Sequence, residues 1–210
     1  MRTRIKICGV TRAEDAAAVV AAGADAVGLV FARSPRQVSI ELAAEVTAAV
    51  PPPVGRVGVF VDADAEFVAE AVERCGLTAV QLCGSETPEY CSAMPVPVVK
   101  VLGVGTDFGW SAAEPYRGHA AVLLLDTLIH GMAGGTSQTF DWQAIGQPPG
   151  RAPVFVAGGL TPGNVGTAVR RMRPFAVDVS SGVESSPGIK DHALIEAFCA
   201  AVRAVDEEVA

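Results

Sequence analysis

Eight times along the chain, a short run of apolar and often β-branched residues gives way to an alanine-rich or loop-like stretch. That alternation limits the folds open to it. The candidate strands are RIKIC (4–8), DAVGLV (25–30), VGRVGVF (54–60), TAVQL (78–82), VPVVKVL (96–102), AVLLLD (121–126), PVFVAG (153–158) and FAVDVS (175–180). Several are almost continuously apolar, as parallel strands covered on both faces must be. Helical patterns occupy 12–23, 39–50, 64–76 and 161–172, and a last helix is expected from about Lys190 to Val205. Strand–helix alternation implies a parallel sheet with right-handed crossovers. Eight such units predict an α/β chain folded over residues 1–210 as one single-domain (β/α)8 TIM barrel. The alternative is an open doubly wound sheet. Its nucleotide fingerprint is approached only by GVGTDFG (103–109), which has Phe108 at the third glycine and follows the fifth strand.

Local signals place the helix ends. Thr11 opens TRAE, a capping box with Glu14, and Gly23 stands where that helix should stop. Ser39 and Thr161 read as N-caps, the latter followed by Pro162 at the first helical position. Segments 85–94 and 107–117 carry weaker patterns.

Charge and composition remove whole classes of partner. The 210 residues are half hydrophobic with a formal net charge of −7, which disfavours nucleic acid and anionic membrane surfaces. Arg170, Arg171 and Arg173 form the one basic cluster and read as a solvated helix end. No apolar run reaches bilayer length, and MRTRIKICGVTRAED lacks the apolar core of a secretory signal. Five cysteines without a CxxC and three dispersed histidines predict neither disulfides nor a metal site, and a cytoplasmic location.

In such a barrel the carboxyl ends of the strands share one mouth. Those ends offer Cys8, Arg36 in the loop after strand two, Gln81 and Cys83, Asp126, the GGL of 158–160, Asp178, and the SSG of 180–182. Glycines directly after strands seven and eight let backbone N–H groups approach an anion, where this fold binds phosphate. A carboxyl raised by partial burial suits a general acid, and a thiol near an anion site suits a base. Asp126 and Cys8 are therefore the candidate pair, and Arg36 a planar partner for a carboxylate or phosphate.

These residues in this order resemble the phosphoribosylanthranilate isomerase family of tryptophan biosynthesis. The resemblance is carried by KICGVT (6–11), GADAVGLVF (23–31), SPRQVS (34–39), RVGVFVD (56–62), AVQLCG (79–84), LLLDT (123–127), GGTSQTFDW (134–142), AGGLTPGNV (157–165) and VDVSSGVESSPGIKD (177–191). It implies an Amadori rearrangement of N-(5-phosphoribosyl)anthranilate, with Cys8 as general base, Asp126 as general acid and no cofactor or metal. It further implies phosphate contacts from Gly158, Gly159, Ser181 and Gly182, and contacts from Arg36 and Asp178 to the anthranilate end. The chain departs from the family pattern at Cys83, a substrate-contact position where histidine is usual, and at Ser137, where glycine is usual. The implied partner is a small phosphoribosyl substrate, and the chain itself is expected to be a monomer or homodimer.

Two rival readings remain at this level. One is a related phosphosugar isomerase or aldolase, the latter needing a Schiff-base lysine for which Lys100 is the candidate. The other is a non-catalytic phosphosugar-binding barrel, to which Cys83 lends some weight.

Overall fold

All eight expected strands form, each within a few residues of its expected bounds. They are β1 (Arg4–Ile7), β2 (Ala26–Val30), β3 (Gly55–Phe60), β4 (Ala79–Leu82), β5 (Val98–Val104), β6 (Val122–Ile129), β7 (Val154–Val156) and β8 (Ala176–Val179). The computed structural model describes residues 2–129, 132–133, 145 and 153–208, so Ser137 and the segment GGTSQTFDW lie outside the described residues. Each strand pairs in parallel with the next, and β8 returns to β1 to close a barrel of eight. The open-sheet alternative is thereby removed. Around it lie α1 (Ala13–Ala21), α2 (Ile40–Ala48), α3 (Ala65–Cys75), α4 (Pro88–Ser92), α5 (Val165–Met172) and α6 (His192–Glu208), with a 3₁₀ helix at Trp110–Tyr116. Among the described residues no helix is long and apolar enough to cross a membrane.

Strand alternation sorts the side chains into two layers. Ile5, Ile7, Val27, Leu29, Phe60, Val80, Leu82, Val177 and Val179 face outward into one core shared with the helices. The opposite parity faces the barrel axis, where Val99, Leu124 and Ala157 pack with Val101, Val122 and Phe155. By the same alternation Lys6, Cys8, Gln81, Asp126 and Asp178 face inward, toward the axis and its carboxyl-end mouth.

Two of the expected caps form differently. Ser39 is the N-cap of α2, its hydroxyl accepting from Leu42 N at 3.2 Å. Thr11 makes no capping box: Arg12 holds the N-cap of α1, and the Thr11 hydroxyl donates instead to the Gly188 carbonyl. A partner 177 residues away competes successfully with the local motif. Nor does Thr161 cap α5, which starts at Val165 behind Asn164. Asn164 Oδ1 accepts from Thr161 N at 2.8 Å, so the TPGN run is a turn folded back on its own backbone. The last helix starts at His192 rather than Lys190, because Ile189–Lys190 pairs antiparallel with Glu184–Ser186. The arginines do mark a helix end: Arg170 and Arg171 lie in the last turn of α5, and Arg173 is its left-handed C-cap at φ +44°.

Ser39→Ala removes the one side-chain cap of α2 and is expected to cost about 1 kcal/mol. The midpoint of urea unfolding checks this, since the m-value should not change.

Candidate active site

Closure of the barrel sets the first piece of the site. The β1–β8 register places Lys6 directly beside Asp178. Lys6 Nζ donates to both Asp178 oxygens at 2.9 Å, with the lysine 1% and the aspartate 6% exposed. Burial is the largest single effect and lowers the ammonium pKa, but the charge and hydrogen bonds of Asp178 together with the influence of Cys8 outweigh it and the net direction is upward. Lys6 is therefore a fixed positive charge inside the barrel.

Cys8 follows two residues on, on the same face of β1, its backbone N–H donating to Val179 O at 2.7 Å. Burial pushes its thiol up, while the charges of Lys6 and Lys190 pull it back and Asp178 adds to the rise. The space beside it is free because residue 28 is glycine. A methyl there would lie 2.8 Å from Cys8 Sγ and 3.0 Å from Lys6 Nζ.

Asp126 stands on β6 in line with Leu124, its Oδ1 accepting from Thr127 N at 2.8 Å. Burial first, then the negative charge of Asp178, raise its pKa to about 6 against the pull of the Thr127 N–H and Lys6. A carboxyl so placed still holds its proton in part near neutrality. Cys83, at the end of β4, accepts from Gln81 Nε2 at 3.5 Å, and burial pushes its thiol up to about 12. It sits within electrostatic range of Cys8 and Lys6 as a neutral group.

Arg36 is committed to a partner that the sequence motifs do not reveal. Its Nε and Nη2 donate to the two oxygens of Glu184 at 2.8 and 2.7 Å. Lys190 Nζ donates to the same carboxylate at 2.8 Å and to Ser180 O at 3.1 Å. Burial pushes Glu184 up, but the hydrogen bonds and charges of Arg36 and Lys190 together outweigh it and the net shift is downward. Glu184 and Lys190 are paired residues of the short hairpin after β8, and local sequence gives no sign of that pairing. Lys6 was detectable: a lysine two residues before an inward-facing cysteine must face inward too.

The two glycine loops fit against each other. Gly158 and Gly159 take φ of +84° and +60°, values that L side chains rarely adopt. A methyl on Gly158 would lie 2.9 Å from Thr127 N and 3.0 Å from Asp126 Oδ1, so this loop is pressed onto the Asp126 carboxyl. A methyl on Gly182 would collide with the Leu160 carbonyl, so the SSG loop packs on the GGL loop through bare backbone. Ser181 opens the 3₁₀ turn Ser181–Val183 beside it. Asn164 ties the same region together by donating to Gly159 O at 2.9 Å. Lys100, by contrast, has the opposite parity to inward-facing Val99 and spends its ammonium on Leu82 O, Gly84 O and Glu86. A Schiff-base lysine at that position would have no open route to the mouth.

A closed parallel barrel with titratable side chains gathered at its mouth fits one class: an enzyme on a (β/α)8 scaffold. Comparison with known proteins narrows the class. The family model for N-(5'-phosphoribosyl)anthranilate (PRA) isomerase matches residues 5–201. A Pseudomonas fluorescens protein named N-(5'-phosphoribosyl)anthranilate isomerase is 50% identical over 204 residues, covering 95% of each chain. The crystal structure of phosphoribosylanthranilate isomerase from Thermotoga maritima superposes with a TM-score of 0.85 at 40% identity, covering 96% of this chain and 99% of that one. A solved isomerase in complex with reduced 1-(o-carboxyphenylamino)-1-deoxyribulose 5-phosphate gives 0.82 at 39% identity, with the same coverage. Another, also at 0.82 and 39% with that coverage, is a monomeric form generated from the dimeric Thermotoga maritima isomerase. The chain belongs to the phosphoribosylanthranilate isomerase family.

The raised carboxyl makes stability depend on pH with a definite sign. Asp126 titrates near 3.8 when unfolded and about 6 when folded, so the native state loses stability as pH rises through that interval. Asp126→Asn is expected to stabilise the protein by about 1–3 kcal/mol at pH 8 and by little at pH 4. Paired urea titrations of wild type and variant at the two pH values check it.

Proposed function

We infer that the chain converts N-(5-phosphoribosyl)anthranilate to 1-(2-carboxyphenylamino)-1-deoxyribulose 5-phosphate, as the phosphoribosylanthranilate isomerase of tryptophan biosynthesis. The observation that carries the mechanism is the carboxyl raised to about 6 at the same mouth as a thiol with a lysine beside it. Protonated Asp126 gives its proton to the furanose ring oxygen as the C1–O bond breaks, leaving a Schiff base between C1 and the anthranilate nitrogen. Cys8, as thiolate, takes the proton from ribose C2, and the electron pair moves to form an enolamine that tautomerises to the ketone. Proton transfers alone balance the reaction, and the scheme calls on no metal or organic cofactor.

The substrate's phosphate is assigned to the backbone of Gly158, Gly159, Ser181 and Gly182. Two left-handed glycines and the bare packing of one loop on the other support this assignment. Its carboxylate is assigned to Arg36, which Glu184 holds by Nε and Nη2 with Nη1 left over. Asp178 is assigned to the anthranilate end, although both its oxygens already accept from Lys6. Cys83 lines the site as an uncharged side chain and cannot supply the charge of a protonated histidine. A reducing cytoplasm suits the five free cysteines. Monomer and homodimer both stay compatible with this site, since the assigned groups come from one chain.

Decay of the fluorescence of freshly made phosphoribosylanthranilate tests the reading. Wild type is expected to accelerate the decay, and Cys8→Ser and Asp126→Asn each to lose about 10²–10⁴-fold, the usual worth of a positioned acid or base. No acceleration by the wild type would overturn the assignment.

The pH profile follows from the two ionisations. The acid titrates near 6 and the base above its usual range, so the reactive form, acid protonated and thiol ionised, is a minority species. Its abundance rises with pH up to about 6, stays level, and falls only above the thiol pKa. The acid limb of kcat/KM is therefore expected near pH 6, and a limb at pH 8 or above would contradict Asp126 as acid and Cys8 as base.

A further inference from the structure

Several features outside the acid–base pair are built into the barrel. The buried Lys100–Glu86 pair ties Asp62 N and Gly84 N to one carboxylate and so fastens the loops after β3 and β4. The Arg36–Glu184–Lys190 cluster fastens the hairpin after β8. Each has an evident structural task. The Lys6–Asp178 pair has one too, but its position relative to Cys8 gives it another.

We propose that Lys6 is a positioning residue for the isomerisation: its ammonium, clamped by Asp178, stands beside the Cys8 sulfur and favours the ionised form able to take the C2 proton. The proposal rests on the isomerase reading above. Three features of the chain place the charge there. Lys6 and Cys8 are two apart on β1 and so share its inner face. The β1–β8 register sets Asp178 alongside Lys6, so the ammonium is gripped by both carboxylate oxygens at 2.9 Å. Gly28 on β2 leaves space beside both groups: a side chain there would begin 2.8 Å from Sγ and 3.0 Å from Nζ. Any larger residue at 28 would displace thiol and ammonium from these positions.

A structural pair needs none of this geometry. Replacing a buried ion pair by apolar side chains is often neutral or stabilising, so stability alone gives little reason for an ammonium beside the thiol. Other charged and titratable groups act on the thiol as well. From the hairpin after β8, Lys190 favours the thiolate, and Asp178 from β8 opposes it. From the loop after β2, Arg36 interacts with it too, and from β4 so does Cys83. Lys6 is the strongest of those favouring ionisation. Asp178 thus acts in two opposed ways. It fixes the ammonium in place and offsets part of its charge.

That opposition yields a test by sign. The pH dependence of iodoacetamide alkylation at Cys8, followed by mass spectrometry of its peptide, reports the thiol's ionisation without reference to turnover. Lys6→Gln is expected to move the midpoint upward by about one to three pH units, the range for one opposite charge at contact distance. Asp178→Asn, whose amide oxygen still accepts from Lys6, is expected to move it downward. The double variant Lys6→Gln/Asp178→Asn removes both charges together and leaves no lone buried ion; its midpoint is expected to lie above that of the wild type. Should Lys6→Gln fail to fold, the other two variants decide. A midpoint unchanged from wild type in Lys6→Gln, or in the double variant where the single one does not fold, would overturn the proposal. Isomerase activity is measured on the same wild-type preparation. Turnover with unmoved midpoints overturns the role of Lys6 alone, whereas absent turnover overturns the isomerase reading whatever the midpoints do.

Discussion

The four-residue ladder between β1 and β8, Arg4 to Ala176 through Ile7 to Val179, is the contact on which the rest of the structure depends. It joins the first strand to the last and converts an open sheet into a barrel. It also sets which inward side chains are neighbours. With this register Lys6 meets Asp178 and Cys8 rises above them. A slip of one residue would turn Lys6 against a hydrophobic shell and orphan two buried charges. The same hydrogen bonds that close the fold therefore assemble one half of the site.

The other half rests on glycines that bring backbone close to chemistry. Gly158 brings its loop against Asp126 and Thr127, and Gly182 lets the next loop pack on Leu160. Burial, followed by the negative charge of Asp178, is the physical origin of the raised pKa of Asp126. Burial acts on the Cys8 thiol in the same direction, and there it opposes the proposed role, since a base must be ionised. Cationic neighbours offset part of that rise. One low-dielectric mouth thus serves two groups with opposite needs, and placement of charge separates them.

Periodicity made the scaffold legible. Eight apolar runs became eight strands because parallel strands buried on both faces leave little freedom of sequence. Cys8, Asp126 and the two glycine loops were visible because a barrel directs its strand ends to one place. Lys6 was legible in principle from its parity with Cys8, but a lone lysine in a short strand reads most simply as a surface residue. Glu184 and Lys190 were not legible, because Arg36 reaches Glu184 across 148 residues and no local pattern announces the pairing. The failed caps at Thr11 and Thr161 have a similar cause. Each motif is a local offer of hydrogen bonds, and the fold supplied a better partner elsewhere for the first and a tighter turn for the second.

The central claim is that a proton leaves ribose C2 inside this barrel. Single-turnover decay of phosphoribosylanthranilate carrying deuterium at C2, compared with the protium form, tests it most directly, because product release cannot mask the chemical step. The account predicts a primary isotope effect on the wild-type decay. Equal rates for the two substrates would contradict it, since the C2–H bond would then not be broken in the step that the barrel accelerates.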